Sequence, residues 1–184
     1  MTSDEQLMLE FQRGSQDAFT ELFSRYREPI YGFFRRRVNE ASRAEDLAQE
    51  TFLAVLRASE RYEPRALFRS YLYGIALKLV AAERRKRSRA AEDPVEAVNP
   101  TITVNPDTAL WVRRAVEQLE AGAREVLMLR EYEQLSYEEI AHVLRIPVNT
   151  VRSRLFRARM ALKDLLMPQR SGTAGQEGCR GIQK

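Results

Sequence analysis

The stretch from Ala90 to Pro106, AAEDPVEAVNPTITVNP, constrains the fold more than any other part of the chain. It contains three prolines, at positions 94, 100 and 106, and no helical or strand period continues through it. Proline lacks a backbone donor and disfavours helix in the residue before it. The stretch therefore predicts a linker between two domains, and its about 17 residues would reach roughly 55–60 Å if fully extended.

Both halves of the chain carry apolar residues at helical spacing, and neither shows a convincing strand pattern. The length of 184 residues suits one domain of ordinary size or two small ones. We therefore predict an all-α fold with two small helical domains, at 1–89 and 107–167, joined by an extended linker at 90–106. Residues 168–184 are predicted to form a flexible tail, because they are rich in glycine and carry no apolar period.

Local signals place the helices of the N-terminal domain. Periodicity predicts helices over 4–13, 18–38, 42–58 and from about 70 into the basic cluster 84–89. Pro29 predicts a kink or an interruption in the second of these helices. The capping-box pattern Ser42-Arg43-Ala44-Glu45 predicts the start of the third.

Similar signals divide the C-terminal domain. Asp107 is predicted as the N-cap of its first helix, and Gly122 marks the end of that helix. A short helix is predicted over 123–131. A second capping-box pattern begins at Ser136 and predicts a helix that ends before a tight turn through Pro147. The last helix is predicted to run from this turn to about Leu166.

The inventory of reactive side chains argues against an enzyme and against a metal or other cofactor. The chain has one histidine, His142, and one cysteine, Cys179, and it lacks the common metal-binding and nucleophile motifs. We interpret His142 as a solvated helix residue. No apolar run approaches the roughly 18–20 residues that span a bilayer, and the acidic N-terminus lacks the features of a secretory signal. The expectation is a cytoplasmic protein without membrane insertion, in which a single cysteine forms no internal disulfide.

The last predicted helix separates into two faces when it is drawn at 100° per residue. Its apolar face carries Val148, Val151, Leu155, Ala158, Leu162 and Leu165. Its opposite face carries Asn149, Ser153, Phe156, Arg157 and Met160, and Arg152 flanks this face. A capped short helix, a turn and such a helix are typical of a helix-turn-helix, in which arginine can bond guanine and apolar groups can contact a thymine methyl. The alternative is a solvated basic helix, or one that packs on an acidic protein.

A second amphipathic helix, in AEDLAQETFLAVLRA, carries an acidic stripe. Asp46, Gln49, Glu50 and Leu53 lie on its narrow side, opposite a wide apolar arc. A stripe of this kind is usually solvent-facing. Leu53 within it indicates a protein contact, because interfaces combine apolar anchors with a polar rim.

The segment after this helix mixes aromatic and basic residues. Four aromatic residues, Tyr62, Phe68, Tyr71 and Tyr73, stand close to Arg61, Arg65, Arg69 and the cluster at 84–89. This mixture suits single-stranded nucleic acid, whose bases stack on aromatic rings while cations follow the phosphates. The alternative is that the aromatic side chains form core, which we expect in part for Tyr71.

These motifs together resemble the bacterial sigma-70 family, specifically the small extracytoplasmic-function (ECF, group 4) sigma factors. AEDLAQETFLAVL looks like the family's helix that binds the β′ clamp of RNA polymerase. FRSYLYGIALKLVAAERRKR is similar to its −10-reading segment, and LSYEEIAHVLRIPVNTVRSRLFRARMAL to its −35-reading helix-turn-helix. The resemblance covers roughly residues 4–166. It implies a partnership with core RNA polymerase (β′ clamp and β subunits) and promoter DNA, and an anti-sigma factor as regulator.

The resemblance also implies roles for individual residues. Core polymerase contacts are implied for Asp46, Gln49, Glu50 and Leu53. Contacts to the −10 element are implied for Arg61, Arg65, Phe68, Lys78, Arg84 and Arg85, with the loop 61–69 forming a pocket for a flipped base. Contacts to the −35 duplex are implied for Asn149, Arg152, Ser153, Phe156 and Arg157. The linker is expected to thread through the polymerase.

Several positions depart from the family pattern. Tyr71 stands where tryptophan is usual, Leu77-Lys78 where an Arg-Asn pair is usual, and Ala82 where aspartate is usual. These departures bear on the preference at −10. Arg145 stands where the turn of the helix-turn-helix usually carries glycine, and a positive φ there would cost arginine roughly 1–2 kcal/mol.

The function hypothesis is therefore an ECF sigma factor that binds core polymerase, reads two promoter elements and promotes melting. Two alternatives come from other classes of protein. A stand-alone helix-turn-helix regulator would bind duplex DNA without polymerase, and the acidic stripe and the aromatic–basic loop have no purpose in it. A purely protein-binding helical module would show no salt-dependent affinity for DNA.

Overall fold

A computed structural model describes residues 2–90 and 106–167 of the protein. These residues form helices and no strand, which confirms the predicted all-α class. The helices of the described ranges are α1 (Asp4–Gln12), α2 (Gln16–Arg35), α3 (Ala41–Ala58), a 3₁₀ helix (Ser59–Arg61), α4 (Phe68–Ala90), α5 (Pro106–Glu117), α6 (Ala121–Glu131), α7 (Tyr137–Leu144) and α8 (Val148–Leu166). None of them is long and apolar enough to cross a membrane. Most of the predicted linker and the predicted tail lie outside the described residues.

The first four helices share one apolar core. α1 packs on α2, α2 on α3, and α3 on α4. Ile30, Phe33 and Leu72 are completely buried at its centre. The ring of Phe33 makes edge-on contacts with Phe34 and Tyr73 at centroid distances of 5.2 and 5.5 Å. Because each fully buried side chain of this size contributes about 1.5–3 kcal/mol, this core fixes the orientations of α3 and α4.

Pro29 does not interrupt α2, so that part of the prediction is wrong. The helix runs from Gln16 to Arg35 without a break. Proline in a helix interior removes one hydrogen bond and costs about 3 kcal/mol. Ile30, Phe33 and Phe34 follow it and are fully buried. Their burial outweighs the cost of the proline and keeps this turn helical.

The capping box predicted at Ser42 does not form. α3 begins at Ala41 with Glu40 as its N-cap, and no capping box forms at Ser42. The Ala44 N–H already bonds the Glu40 carbonyl at 3.0 Å, so the first turn closes before Ser42 can cap it. α4 begins at Phe68, close to the predicted start near residue 70, and the Glu5 carboxylate accepts the Phe68 N–H at 2.7 Å.

The C-terminal helices surround a second core. α6 and α7 both pack on α8, and Leu129, Leu135, Ile140 and Val151 are completely buried between them. The buried apolar side of α8 includes Leu155 and Ala158, as the helical period predicted. The opposite side of α8 is therefore left at the surface.

Two predicted helix ends in this unit are wrong. α5 begins at Pro106, so Asp107 lies in its first turn and is not the N-cap. Proline suits the first helical position, where its missing N–H has no helical partner. Gly122 lies in α6 and does not end α5. The Glu120 carboxylate caps α6 by accepting the N–H groups of Gly122 and Ala123 at 2.8 and 3.1 Å.

The α7–turn–α8 segment matches its prediction closely. The Ser136 hydroxyl accepts the Glu139 N–H at 3.1 Å, and the Glu139 carboxylate accepts the Ser136 N–H at 2.7 Å, which completes the capping box. Arg145 ends α7 in the left-handed conformation, with φ of 54° and ψ of 46°. α8 then begins at Val148, directly after Pro147. The positive φ considered for Arg145 is confirmed.

The two helical units also contact each other. α7 packs against α4. Glu133, in the segment between α6 and α7, is buried against Arg36 and Arg37 at the end of α2. The described structure is therefore a closed arrangement in which the second unit lies on the first.

Replacing Arg145 with glycine should stabilise the protein. Glycine adopts a positive φ without strain, whereas arginine pays roughly 1–2 kcal/mol for it. After the larger unfolded-state entropy of glycine is subtracted, we expect Arg145→Gly to raise the free energy of unfolding by about 0.5–1 kcal/mol in urea denaturation. Arg13→Gly is the matched control, because Arg13 also ends a helix but has φ of −84°. A stabilisation equal in both variants would contradict the strain explanation.

Candidate functional site

The outer side of α3 presents the predicted stripe to solvent. The side chains of Asp46 and Glu50 are 61% and 44% exposed, and Leu53 is 44% exposed. Gln49 is exposed between them. The opposite side of the helix is buried in the core through Leu47, Thr51, Phe52 and Val55. The stripe thus combines two carboxylates with one uncovered apolar side chain.

Arg43 connects this stripe to α4. Its guanidinium bonds the Glu83 carboxylate at 2.8 Å and the Glu50 carboxylate at 3.2 Å, and it lies 3.7 Å from Asp46. The hydrogen bond to Glu83 is the main cause that raises the pKa of Arg43. The same bond lowers the pKa of Glu83 below its ordinary value. Arg43 therefore positions the acidic side chains and offsets part of their charge.

The loop between the 3₁₀ helix and α4 is held at both ends by α1. The Gln12 side-chain amide donates to the carbonyls of Ser59 and Tyr62 at 2.5 and 2.8 Å. At the other end, the Glu5 carboxylate accepts the Phe68 N–H. Arg61, the last residue of the 3₁₀ helix, and Arg65, on the loop, are both exposed. The backbone of this segment is therefore held in place, and the guanidinium groups of Arg61 and Arg65 extend from it into solvent.

An aromatic cluster lies beneath the same loop. The Tyr62 ring contacts Phe68 and Tyr71 at centroid distances of 6.2 and 5.4 Å, and Tyr26 contacts Phe68 at 5.7 Å. Burial raises the pKa of Tyr62 to about 12, and its hydroxyl has no partner among the described residues. Phe68 is only 1% exposed. Direct stacking of a base on Phe68, as expected from the sequence, is not supported by this burial, and Phe68 instead forms the floor under the loop.

The other predicted −10 residues lie along α4. Lys78, Arg84 and Arg85 are exposed. Lys78 and Arg84 line a groove of about 680 Å³ between α4 and α7, together with Tyr71, His142 and Arg145. The closed arrangement therefore places the basic side of α4 next to the helix-turn-helix.

The outward side of α8 carries all five predicted −35 residues. Phe156 is 64% exposed, and Asn149, Arg152, Ser153 and Arg157 are exposed around it. The Arg152 guanidinium lies 3.4 Å from the Asn149 side-chain oxygen, and the Ser153 hydroxyl donates to the Thr150 carbonyl at 3.0 Å. Because Val151 and Leu155 are buried on the other side of α8, this face points towards solvent. Two guanidinium groups and an uncovered ring match the groups that read a major groove.

Comparisons with known proteins identify the family. The family model for sigma-70 region 2 matches residues 22–90, and the model for sigma-70, region 4, matches residues 109–162. The RNA polymerase sigma-H factor of Pseudomonas aeruginosa is 35% identical over 182 residues, which covers 90% of this chain and 94% of that protein. This chain belongs to the sigma-70 family. The ECF RNA polymerase sigma-E factor of Escherichia coli (strain K12) is 33% identical and covers 90% of this chain and 95% of that protein, which places the sigma factor in the ECF group.

Solved structures agree with this assignment. CnrH in complex with the cytosolic domain of CnrY has a TM-score of 0.67 and 26% identity, and the match covers 90% of this sigma factor and 97% of that chain. The sigma factor RpoE from Bartonella quintana, in complex with the anti-sigma factor NepR, has a TM-score of 0.66 and 24% identity over 80% of this sigma factor and 96% of that chain. The second likeness is one of fold.

Sequence reasoning on this sigma factor did not find the residues that position the sites. Arg43 and Glu83 are 40 positions apart, and Glu5 caps a helix 63 positions away. Neither pair follows a local motif. One contact could have been found locally. Arg43 precedes Asp46 by three residues and Glu50 by seven on the same helix, and this spacing indicates that the three side chains can meet.

Replacing Glu83 with glutamine should remove a pH-dependent stabilisation. The folded pKa of Glu83 is depressed from 4.5 by Arg43, so the pair stabilises the fold above that pH and is lost as pH falls through the lowered pKa. We expect Glu83→Gln to lose about 1–2 kcal/mol of unfolding free energy at pH 7 and to approach the wild type in strong acid. Urea denaturation across pH measures this difference.

The control is Glu63→Gln, because Glu63 pairs with Arg65 while both side chains are largely exposed. Exposed pairs contribute little, so this variant should stay near the wild type at every pH. A loss at Glu83 that does not change with pH would contradict the ion-pair explanation.

Proposed function

We propose that this ECF sigma factor holds core RNA polymerase through the α3 stripe and reads promoter DNA with two separate surfaces. The observation that carries the proposal is the outward face of α8, where Phe156 and Arg157 are exposed opposite a buried core side. An apolar ring between cations matches a major groove, where arginine can bond guanine and an apolar group can contact a thymine methyl. In this role the protein positions polymerase on DNA. It catalyses no covalent step and needs no cofactor.

The −10 surface is proposed to consist of Arg61, Arg65, Lys78, Arg84 and Arg85. Their exposure on the loop and along α4 supports contacts to phosphates and bases of a melted strand. The fixed loop above the aromatic cluster is the proposed pocket for a flipped base, with Phe68 as its floor. Extruding a base from the stack costs a few kcal/mol, and contacts that hold the unstacked base in a pocket offset this cost. Trapping the base therefore favours strand separation.

The two promoter readers are proposed to act from separate domains, at 1–89 and 107–167, joined by the linker at 90–106. Bipartite binding gains affinity because one bound domain raises the effective concentration of the other. The family models match the two regions separately, which supports this division. The proposed location is the cytoplasm, where core polymerase and the promoters are found.

An anti-sigma factor is the proposed regulator. The solved relative CnrH is described in complex with the cytosolic domain of CnrY, and the match covers both helical units of this chain. The acidic stripe and the basic groove are both exposed surfaces that such a protein could cover.

Promoter-specific initiation is the direct test of the function. Purified protein and core polymerase on a promoter template should give transcripts with defined start sites. Tight duplex binding without polymerase association would instead indicate a stand-alone helix-turn-helix regulator. Absence of salt-dependent DNA affinity in the presence of polymerase would indicate a protein-binding module.

Charge reversal of the α3 stripe should weaken polymerase binding. Asp46→Lys with Glu50→Lys replaces two exposed carboxylates at the proposed interface, and we expect at least a tenfold rise in the dissociation constant for core polymerase, with circular dichroism unchanged. Glu45→Lys is the matched control, because Glu45 is exposed on the same helix outside the stripe. Equal losses in both proteins would show a general charge effect and no specific interface.

Truncation of Arg157 should impair −35 recognition. A bidentate contact to a base discriminates by about 1–3 kcal/mol, so Arg157→Ala should lower −35-dependent initiation by roughly 5–150-fold. Promoters that depend little on −35 should be affected less. Lys163→Ala removes an exposed cation near the other end of α8 and is the control. Unchanged −35 selectivity of Arg157→Ala would contradict its assignment.

A further inference from the structure

Glu120 holds a negative charge at the N-terminus of α6. One of its carboxylate oxygens accepts the Gly122 N–H at 2.8 Å, and the other accepts the Ala123 N–H at 3.1 Å. Glu120 itself is exposed, whereas Leu119 before it and Ala123 after it are buried in the second core. The carboxylate is therefore fixed at one place on the surface of the helix-turn-helix unit.

The guanidinium of Arg154, on α8, lies against the same place. α6 packs on α8, and a Cβ atom added to Gly122 would lie 3.1 Å from the Arg154 Cζ atom. The same Cβ atom would lie 3.1 Å from the Glu120 Oε1 atom. The guanidinium and the carboxylate are therefore neighbours across Gly122, and any side chain at this position would crowd both groups.

Arg154 lies at the edge of the −35 face of α8. It is half-buried, and it stands one helical turn before the exposed Arg157, so the two side chains are neighbours. The two backbone hydrogen bonds, and after them the charges of Arg154 and Arg157, lower the pKa of Glu120 below its ordinary value. The charge of Glu120 therefore acts on the arginines at this edge of the face.

A negative charge at this edge opposes one component of DNA binding more than the other. Phosphates attract cations whatever the sequence, whereas contacts to base edges depend on it. When a recognition helix lies in a major groove, the residues that flank its base-reading face lie next to the phosphates. Glu120 offsets the charge of Arg154 there and repels the phosphates. Salt leaves this effect largely unscreened within about 8–10 Å at 0.1–0.15 M.

We propose that Glu120 is a specificity-determining residue of −35 recognition, which weakens the sequence-independent attraction of the helix-turn-helix unit to DNA phosphates. This role rests on the proposed −35 function of α8. Arg152 and Phe156 lie farther round α8 from Glu120, so their contacts to bases are affected less. Weakening an attraction that all duplexes share raises the ratio of specific to non-specific affinity.

Initiation by the holoenzyme from paired templates tests this role. The full-length protein with core polymerase is given one template with an intact −35 element and one in which that element is scrambled. The ratio of the two transcript yields measures −35 selectivity. Glu120→Gln removes the charge and keeps an oxygen that can accept from the α6 backbone. We expect it to raise initiation from the scrambled template by about threefold or more and to change the intact template by less than about twofold.

Two variants control for the change of charge. Glu120→Asp keeps the carboxylate and should keep the selectivity of the wild type. Asp164→Asn removes one carboxylate from an exposed position near the far end of α8 and should also keep it. Unchanged selectivity in Glu120→Gln overturns the proposal. An equal loss of selectivity in Asp164→Asn overturns it too, because the effect would then be one of overall charge.

Salt separates the electrostatic role from a purely structural one. Screening should bring the selectivity of Glu120→Gln towards that of the wild type as salt rises from about 0.05 to 0.2 M. A weakened helix cap would instead lower initiation from the intact template at every salt concentration, and that result overturns the proposal. Glu120→Ser caps a helix without a charge and should reproduce Glu120→Gln. It decides the outcome if circular dichroism shows that Glu120→Gln is misfolded.

The wild type distinguishes this role from the proposed function on which it rests. Equal initiation by the wild type from both templates contradicts the −35 function of α8. A wild-type preference for the intact template that Glu120→Gln retains in full leaves that function standing and overturns only the role of Glu120.

Discussion

α3 and α8 can each present an outward face of fixed composition only because the opposite face is buried. α8 places Val151, Leu155 and Ala158 in a small core, and α3 does the same with Leu47, Phe52 and Val55. The helical repeat then leaves no freedom in where the intervening residues point. Phe156 and Leu53 are exposed as a consequence of this constraint, at 64% and 44%. The buried core and the outward positions of Phe156 and Leu53 therefore follow from the same helical period, and a change in the core register would rotate both outward faces.

The parts of the fold that follow from local interactions were predictable from the sequence. The Ser136 capping box, the turn at Arg145 and Pro147 and the two faces of α8 depend on residues within a few positions of one another. The stripe on α3 is predictable for the same reason. The sequence also indicated a basic loop, and the structure places Arg61 and Arg65 at its surface.

The parts that failed depend on distant residues or on the balance between competing signals. Ser42 has the pattern of a cap, but Glu40 starts the helix earlier, and Pro29 is outweighed by the buried residues after it. Phe68 looked available to a base, but Tyr26 on another helix covers it. The contact of Arg36 with Glu133 joins residues 97 positions apart, and no local pattern announces it. The helical period of a sequence predicts which face of a helix is buried. It does not predict which other element packs against that face.

The contact between the two helical units includes a buried ion pair between Glu133 and the end of α2. A large apolar interface would hold two domains together by burial alone, and separating them would expose that surface to water. A buried ion pair adds little net stability over apolar packing, yet it demands one geometry and fails when a partner is lost. Arginine is suited to this role because its rigid fork can serve a carboxylate and stack on a ring at once, as Arg36 does with Glu133 and Tyr132. The basic end of α2 therefore contacts the second helical unit through the ion pairs of Arg36 and Arg37 with Glu133.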